Sequence, residues 1–398
     1  MKVSGIICEY NPFHNGHLYH IEQTRKNGAT HIVCVMSGSF VQRGDAAIMD
    51  KLERARLAVK CGADLVIELP VAFSLAPAES FAAGAVWLLK SLGVVDELSF
   101  GSEAGDVLTL QKALSATEEA SKYMVDEIVS IMDRGYTYPR ALASVVDSID
   151  ENAGKVLASP NNLLAVEYLR ALKKFGSPMT AFTVKRSGAD HDSPEASGGF
   201  MSASSIRERI LEGKGGFGAY VPDIWAQSLR EAAKSGRIGD LRRLERVILY
   251  KVRTASVEEI SQVSDMASGL ESRIYSARMA GSLEELLFTI KTKRFTMARI
   301  RRIILSLLIG ITREDMAGFP PYGRILALNE RGREVLACAK GKATIPFGTS
   351  LAKLAEKNKK AGRYAFLEGR ASDIYGLSLD TITSAQNDFR AKIIIDME

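Results

Sequence analysis

The sequence predicts an α/β fold, a parallel sheet with helices on its faces, followed by a mainly helical domain. Up to about residue 185, short apolar runs rich in β-branched residues alternate with longer segments of helical periodicity, the pattern of strand–helix–strand crossovers. From Ile224 onward, apolar residues recur at helical spacing through 241–250, 274–279 and 283–290, with few strand-like runs before 343–347. The charge divides in the same region. Residues 1–220 carry 22 Lys+Arg against 26 Asp+Glu, a balance of −4, and residues 221–398 carry 30 against 21, a balance of +9. Two domains are therefore expected, 1–220 and 221–398.

The first strand, Val3–Cys8, ends in a Pro-containing turn that opens straight into helical spacing. Three of the five histidines, His14, His17 and His20, fall within seven residues here, two of them as His-x-Gly-His. The first amides of a helix lack intrahelical partners and its dipole favours negative charge, so a triphosphate suits this junction. Pro12 fixes the turn, Gly16 removes a Cβ where backbone or base must approach, and His14 and His17 can donate hydrogen bonds to oxygens that gain charge in a transition state. His20, one turn further, is expected to face away from the mouth. Further strands are expected at 31–36, Leu65–Leu69, 97–100 and 180–184. A helix over 51–61 is opened by Asp50 and Glu53 in capping-box spacing. Ligands bind at the carboxyl ends of such strands, which groups 11–17, 37–43 and 101–103 around one crevice, with Gly101 a candidate backbone contact. Residues 106–176 read as helical and acidic, with Asp126, Glu127 and Asp133 on a solvent face. Their one chemical feature is Pro160 with Asn161 and Asn162, opening a helix that ends near Lys174; such asparagines cap a helix or bond a ligand. Gly213-Lys-Gly-Gly216 follows a helix and lacks the Lys-Ser/Thr ending of a P-loop, so it reads as an interdomain hinge.

Asn11-Pro-Phe-His-Asn-Gly-His17 resembles the His-x-Gly-His signature of the nucleotidylyltransferase superfamily, whose members attack the α-phosphate of a nucleoside triphosphate and release pyrophosphate. With Cys8-Glu-Tyr-Asn-Pro-Phe-His-Asn-Gly-His17, Met36-Ser-Gly-Ser-Phe-Val-Gln-Arg-Gly44 and Gly62-Ala-Asp-Leu-Val-Ile-Glu-Leu-Pro70, the chain is similar over nearly its whole length to the bacterial tRNA(Met) cytidine acetate ligases. That resemblance implies a Rossmann-like, parallel-sheet nucleotidylyltransferase domain. It implies that ATP, with Mg2+ held largely by the phosphates, activates acetate as acetyl-adenylate. The acetyl group then passes to the exocyclic amine of the wobble cytidine of elongator tRNA(Met), giving N4-acetylcytidine. His14, His17 and Arg207 are implied as catalytic. Implied ATP contacts are Ile7, Cys8, Glu9, Tyr10, Asn11, Pro12, Phe13, His14, Asn15, Gly16, His17, His20, Gly101, Arg186, Ser202 and Ser204, and Asn162 with Asn161 close behind it. Residues 185–190 and 201–207 form a second phosphate site by resemblance, a serine-rich helix start whose Arg207 stabilises departing pyrophosphate. No metal site on the protein and no protein partner is implied.

In the second half the informative piece is 291–305, where Thr296 reads as an N-cap and Phe295 with Ile300 as a hydrophobic staple. Lys291, Lys293, Arg294, Arg299, Arg301 and Arg302 crowd the amino end of one amphipathic helix, the natural use of which is contact with tRNA phosphates. A second basic run, 353–363, is the next candidate. Cys8, Cys34, Cys61 and Cys338 show no paired spacing and are expected as reduced, buried thiols, without disulfide framework or zinc site. No charged leader opens the sequence, and its longest apolar run, 303–311, is too short for a bilayer, so a cytoplasmic protein is expected. The competing readings are an adenylyltransferase of cofactor biosynthesis, which needs no basic second domain, and a non-catalytic RNA-binding protein, for which the histidine motif should be broken. It is intact.

Overall fold

A computed structural model describes residues 1–186, 201–391 and 394–395. In chain order, β1 (Val3–Cys8), α1 (Asn15–Lys26), β2 (His31–Ser37), α2 (Lys51–Lys60), β3 (Leu65–Leu69), α3 (Ala78–Leu92), β4 (Glu97–Ser102), α4 (Val107–Tyr123), α5 (Pro160–Lys174) and β5 (Thr180–Lys185) form the first layer system. The strands lie in the order β3-β2-β1-β4-β5 and all of these neighbours are parallel. This is the doubly wound arrangement, whose topological switch lies between β1 and β4. Every residue of β2 and β3 is buried, so these strands read as unbroken apolar runs rather than alternating ones. Helix α3 crosses β1 so closely that a Cβ on Gly5 would lie 2.6 Å from Leu89, which excludes larger residues there. Asp50 caps α2 as expected, accepting from the amides of Leu52 and Glu53, while the Glu53 carboxylate pairs with Arg56.

The sheet continues into the second half. After α6 (Ala203–Leu211), β6 (Gly323–Leu328) joins it antiparallel to β3, and Phe347–Gly348 and β7 (Ile394–Ile395) pair parallel with β6. The expectation of few strands before 343–347 missed β6, and of that run only Phe347 is in a strand. A six-residue, fully buried run paired only over long range carries no local signal that separates it from buried helix. Packing crosses residue 220 as well. Trp225, fully buried, stacks on Phe13 at 5.7 Å, and a single apolar cluster runs from Val33, Val35 and Ile67 to Ile303 and Leu367. Position 220 marks a change in composition, not a gap in the core. The second half is otherwise helical, its longer helices including α7 (Met297–Ile309) and α8 (Lys359–Gly376). Cys8, Cys34 and Cys61 are buried, whereas Cys338 is exposed, against expectation, because it lies on the outward face of the helix Glu330–Ala339. Among the described residues, no helix is long and apolar enough to cross a membrane.

The two halves are also joined by charge. Lys51, from α2, reaches Glu68 at 2.5 Å and Asp388 at 2.7 Å, and Arg324, from β6, reaches Glu68 at 3.1 Å and Asp388 at 2.8 Å. All four are within 3% of complete burial. Burial alone would push the Lys51 ammonium down, but Asp388 and Glu68 outweigh it and hold it above its ordinary range. Burial likewise would raise Asp388, yet Lys51 and Arg324 keep it below its ordinary value. Glu368, against the same cluster, is raised well above the carboxylate range by burial and by Glu68, so the network closes as two cations against two anions. Removing one member of such a set leaves an uncompensated buried charge. Lys51→Met is therefore expected to lower unfolding stability by about 3–5 kcal/mol in denaturant titration, whereas Arg56→Met, at a partly exposed pair, should change it by about 1 kcal/mol or less. Equal effects would contradict the assignment.

Candidate active site

At the switch point between β1 and β4, a cavity of about 430 Å³ opens at the carboxyl ends of the strands. Its floor is the turn from β1 to α1. Tyr10 adopts a left-handed φ of 45°, a strained conformation of the kind retained where function fixes the backbone, and the Asn11–Pro12 peptide is cis. The fully buried guanidinium of Arg54, from α2, holds this turn against the next loop by donating to the carbonyls of Glu9 at 2.5 Å, Ser37 at 3.1 Å, Met49 at 3.0 Å and Gly38. The Asn11 side chain accepts from Ile48 N–H at 2.7 Å, and Arg207 donates to the Asn11 carbonyl at 2.6 Å.

The histidines close the start of α1 on each other. His14 is the N-cap, its Nδ1 accepting from the Gly16 amide at 3.0 Å, and the His14 amide donates to His17 Nδ1 at 3.2 Å. An Nδ1 that accepts an amide proton carries none of its own, so in the neutral ring the proton sits on Nε2. Both imidazoles are thus fixed as Nε2–H donors, stacked with centroids 3.8 Å apart. The helix-start amides expected to meet phosphate directly are partly taken by this arrangement, and the imidazoles stand in their place. Burial keeps His17 well below its ordinary pKa, helped by His14, Arg186 and His20; burial and Arg186 push His20 down to about 4. His20 does not face away as expected. It lines the cavity and bonds Ser99 Oγ on β4 at 2.9 Å, because one helical turn brings it back over the sheet.

Of the residues singled out in the sequence, Ile7, Cys8, Glu9, Tyr10, Asn11, His14, Gly16, His17, His20, Gly101, Asn161, Arg186, Ser202, Ser204 and Arg207 line this cavity. Phe13 is buried beneath it, Asn15 turns away to the Ala219 carbonyl at 3.0 Å, and Pro12 is buried in the turn. The two asparagines differ in placement. Asn162 is buried and accepts from Ala104 N–H at 3.0 Å, locking the turn after β4, while Asn161 is the one at the cavity wall, held by Glu103 at 2.5 Å. Residues 187–190 of the second phosphate site lie outside the described residues. Ser202 caps α6, and the Ser204 hydroxyl accepts from Arg207 at 3.4 Å and Arg43 at 3.5 Å. Desolvation lowers the pKa of Arg186 and Arg207, opposed by Glu103 for the first and by Asp45 and Glu9 for the second. Among the described residues neither guanidinium forms an ion pair, an arrangement that an incoming polyanion would relieve. Tyr168, Leu164, Phe81 and Phe100 complete an apolar wall. None was anticipated, although Asn161, Leu164 and Tyr168 share one face of α5 by their spacing.

The basic cluster of α7 divides. Thr296 caps the helix, accepting from Arg299 N–H at 3.3 Å, and Phe295 and Ile300 are buried as a staple requires. Lys291, Lys293 and Arg294 are exposed. Arg302, 8% exposed, donates to the Gln42 carbonyl at 3.2 Å and pairs with Asp265 at 3.3 Å, and Arg299 pairs with Asp265 at 3.1 Å. Arg302 is thus turned inward and braces the helix, while Arg299, paired with the same carboxylate, stays partly exposed. Arg301 packs against Gly44, where a Cβ would come within 2.6 Å of it. In the second basic run, Arg363 is engaged by Asp315 at 2.8 Å.

A family profile described as HIGH nucleotidyl transferase matches residues 1–390. Among curated proteins, the chain is 39% identical to a tRNA(Met) cytidine acetate ligase of a Thermoanaerobacter species over 398 residues, 98% of each chain. It is 40% identical to that of Caldanaerobacter subterraneus over 99% of this chain and 100% of the relative. Among solved structures, Thermotoga maritima TmcAL superposes over 100% of both chains at 31% identity, with a TM-score of 0.92 without ligand and 0.91 with bound α-thio ATP.

The two depressed histidines make the fold sensitive to acid. Each is neutral when folded and takes up a proton near pH 6.5 when unfolded, so its contribution to stability is present above that pH and is lost as pH falls, for His20 between about 6.5 and 4. His20→Gln, which keeps a partner for Ser99, should lose less Tm than the parent between pH 7 and pH 4.5 in thermal melts. An identical loss in both would contradict a neutral, buried His20.

Proposed function

The chain belongs to the HIGH nucleotidyl transferase family and, within it, to the tRNA(Met) cytidine acetate ligases, and on that premise we propose how its cavity performs the reaction. The protein is an ATP-dependent ligase that activates acetate as acetyl-adenylate and transfers acetyl to the exocyclic amine of the wobble cytidine of elongator tRNA(Met). The observation that carries the assignment of roles is the paired, Nε2-protonated imidazoles at the start of α1. An acetate oxygen attacks the α-phosphorus in line with departing pyrophosphate. His14 and His17 donate to the α-phosphate oxygens, and Arg186 and Arg207, with Ser202 and Ser204, neutralise the β- and γ-phosphates as charge moves onto them. Because these donors are fixed before ATP arrives, little reorganisation is needed in the transition state.

The cavity wall brings Arg43, Lys185, Arg186 and Arg207 against one carboxylate, Glu9, and no group of three or more metal-binding side chains occurs among the described residues. Magnesium would arrive with the phosphates and screen their charge. The tRNA lies on the basic second half, residues 221–398, with Lys291, Lys293 and Arg294 as phosphate contacts beside the rim where Arg301 meets Gly44. The ATP chemistry belongs to residues 1–220.

Purified protein should exchange labelled pyrophosphate into ATP only when acetate is present, and His17→Ala should slow that exchange by about 10²–10³-fold, the range for loss of one preorganised donor. Exchange supported equally by a nucleoside monophosphate acceptor would favour a cofactor adenylyltransferase instead. Changing Lys291, Lys293 and Arg294 together to Gln should leave exchange intact while weakening tRNA binding and flattening its salt dependence by roughly 0.7–0.9 per lost contact. Unchanged affinity and slope in that variant would remove this surface from the tRNA site.

A further inference from the structure

Glu9 stands out in a cavity built for a polyanion. It is the one carboxylate among the described residues that line it, in a wall that also carries Arg43, Lys185, Arg186 and Arg207, of which Arg207 and Arg43 act on its charge. A carboxylate that merely balanced those cations would pair with one, and among the described residues Glu9 forms no ion pair. Its Oε1 accepts from the Gln42 amide at 2.7 Å; Arg207 donates to the Asn11 carbonyl and Ser204 instead, and Arg54 holds the Glu9 backbone carbonyl rather than the carboxylate. One oxygen is therefore anchored by the backbone, and the other is left for something that enters. Phosphate oxygens would repel it, so its counterpart must bear a proton.

Resting on the acetate ligase reading above, we propose that Glu9 is the general base that takes the proton from the cytidine N4 amine as it attacks the acetyl-adenylate. The amine nitrogen forms a bond to the acetyl carbonyl carbon, the bond from that carbon to the phosphate oxygen breaks with its electron pair leaving on AMP, and the N4 proton passes to the Glu9 carboxylate. An exocyclic amine conjugated with a pyrimidine is a weak nucleophile, and removing its proton prevents reversal of the attack. The surroundings favour that exchange. Burial raises the proton affinity of Glu9, opposed by the Gln42 amide and by Arg207, Arg43 and Arg54. Tyr168 from α5, itself pushed up by burial with Cys8 and Glu9 nearby, faces the same carboxylate as a neutral hydroxyl. The charged and titratable groups around Glu9 are thus Cys8 at the end of β1, Arg43 after β2, Arg54 on α2, Tyr168 on α5 and Arg207 on α6.

The test compares the two half-reactions in the full-length chain. Glu9→Gln keeps an acceptor for the Gln42 amide, and is expected to reduce acetyl transfer to tRNA by about 10²–10⁴-fold while acetate-dependent pyrophosphate exchange falls less than about tenfold. Parent transfer should rise with pH on its acid side, and the variant should lose that limb. Glu9→Asp, which retains a carboxylate, should keep the limb at a lower rate. Equal losses in exchange and transfer, or a raised demand for ATP or Mg2+ that accounts for the loss, would make Glu9 a nucleotide or metal contact and overturn the proposal, as would undiminished transfer by Glu9→Gln or a missing limb in Glu9→Asp. A parent protein without acetate-dependent exchange would overturn the ligase reading itself, and this inference with it.

Discussion

The start of α1 depends on an exchange of partners between backbone and imidazole, and the rest of the site is built around it. Two amides that would otherwise be orphaned at a helix N-terminus each find an Nδ1, and that single demand fixes the tautomer, orientation and stacking of both His14 and His17. Capping and catalysis are thus one geometry: the residues that satisfy the helix are those that present Nε2–H to the cavity. The strained Tyr10 and the Arg54 guanidinium, bonded to carbonyls of three successive loop segments, hold the junction at the carboxyl edge of the sheet.

Electrostatics divides the molecule by use. In the cavity, the guanidiniums of Arg186 and Arg207 are desolvated and form no ion pair among the described residues, and burial lowers the pKa of His17 and His20, an arrangement suited to an anion supplied by the substrate. Behind the sheet the opposite rule holds, and Lys51, Glu68, Arg324 and Asp388 pair their charges with one another. That network ties β6 and the C-terminal segment to α2 and β3. A second tie, from Arg302 to the Gln42 carbonyl, sets the basic helix against the cavity rim. The residue whose amide anchors Glu9 is the one whose carbonyl receives Arg302, so the surface proposed to meet RNA is braced against the proposed base.

Much of this was legible in the residues. Val3–Cys8, Leu65–Leu69 and Pro160–Lys174 fall where the apolar runs and the Pro-Asn-Asn start put them, because each is bounded locally by turn or cap chemistry. The histidine junction was legible too, since the spacing of His14, Gly16 and His17 already specifies a helix start. What escaped was decided at long range. β6 is a strand only because β3 receives it, Lys51 is buried only because Asp388 arrives 337 positions later, and Arg302 is inward because Asp265 and the Gln42 carbonyl receive it. A run of charges in a sequence does not say which of them the fold will take inside. The same limit hid Tyr168 and which of Asn161 and Asn162 lies at the cavity wall, which depend on the rotation of α5 against β4.

The central claim is that acetate itself attacks the α-phosphorus of ATP in the cavity at the start of α1. Turnover with acetate carrying 18O in both carboxylate oxygens follows that bond directly, because the attacking oxygen becomes the bridge in acetyl-adenylate and stays with phosphorus when the amine displaces AMP. Mass spectrometry should find one labelled oxygen in AMP and one in the acetyl group for each tRNA modified. Unlabelled AMP, or label appearing in inorganic phosphate alongside ADP, would contradict the account.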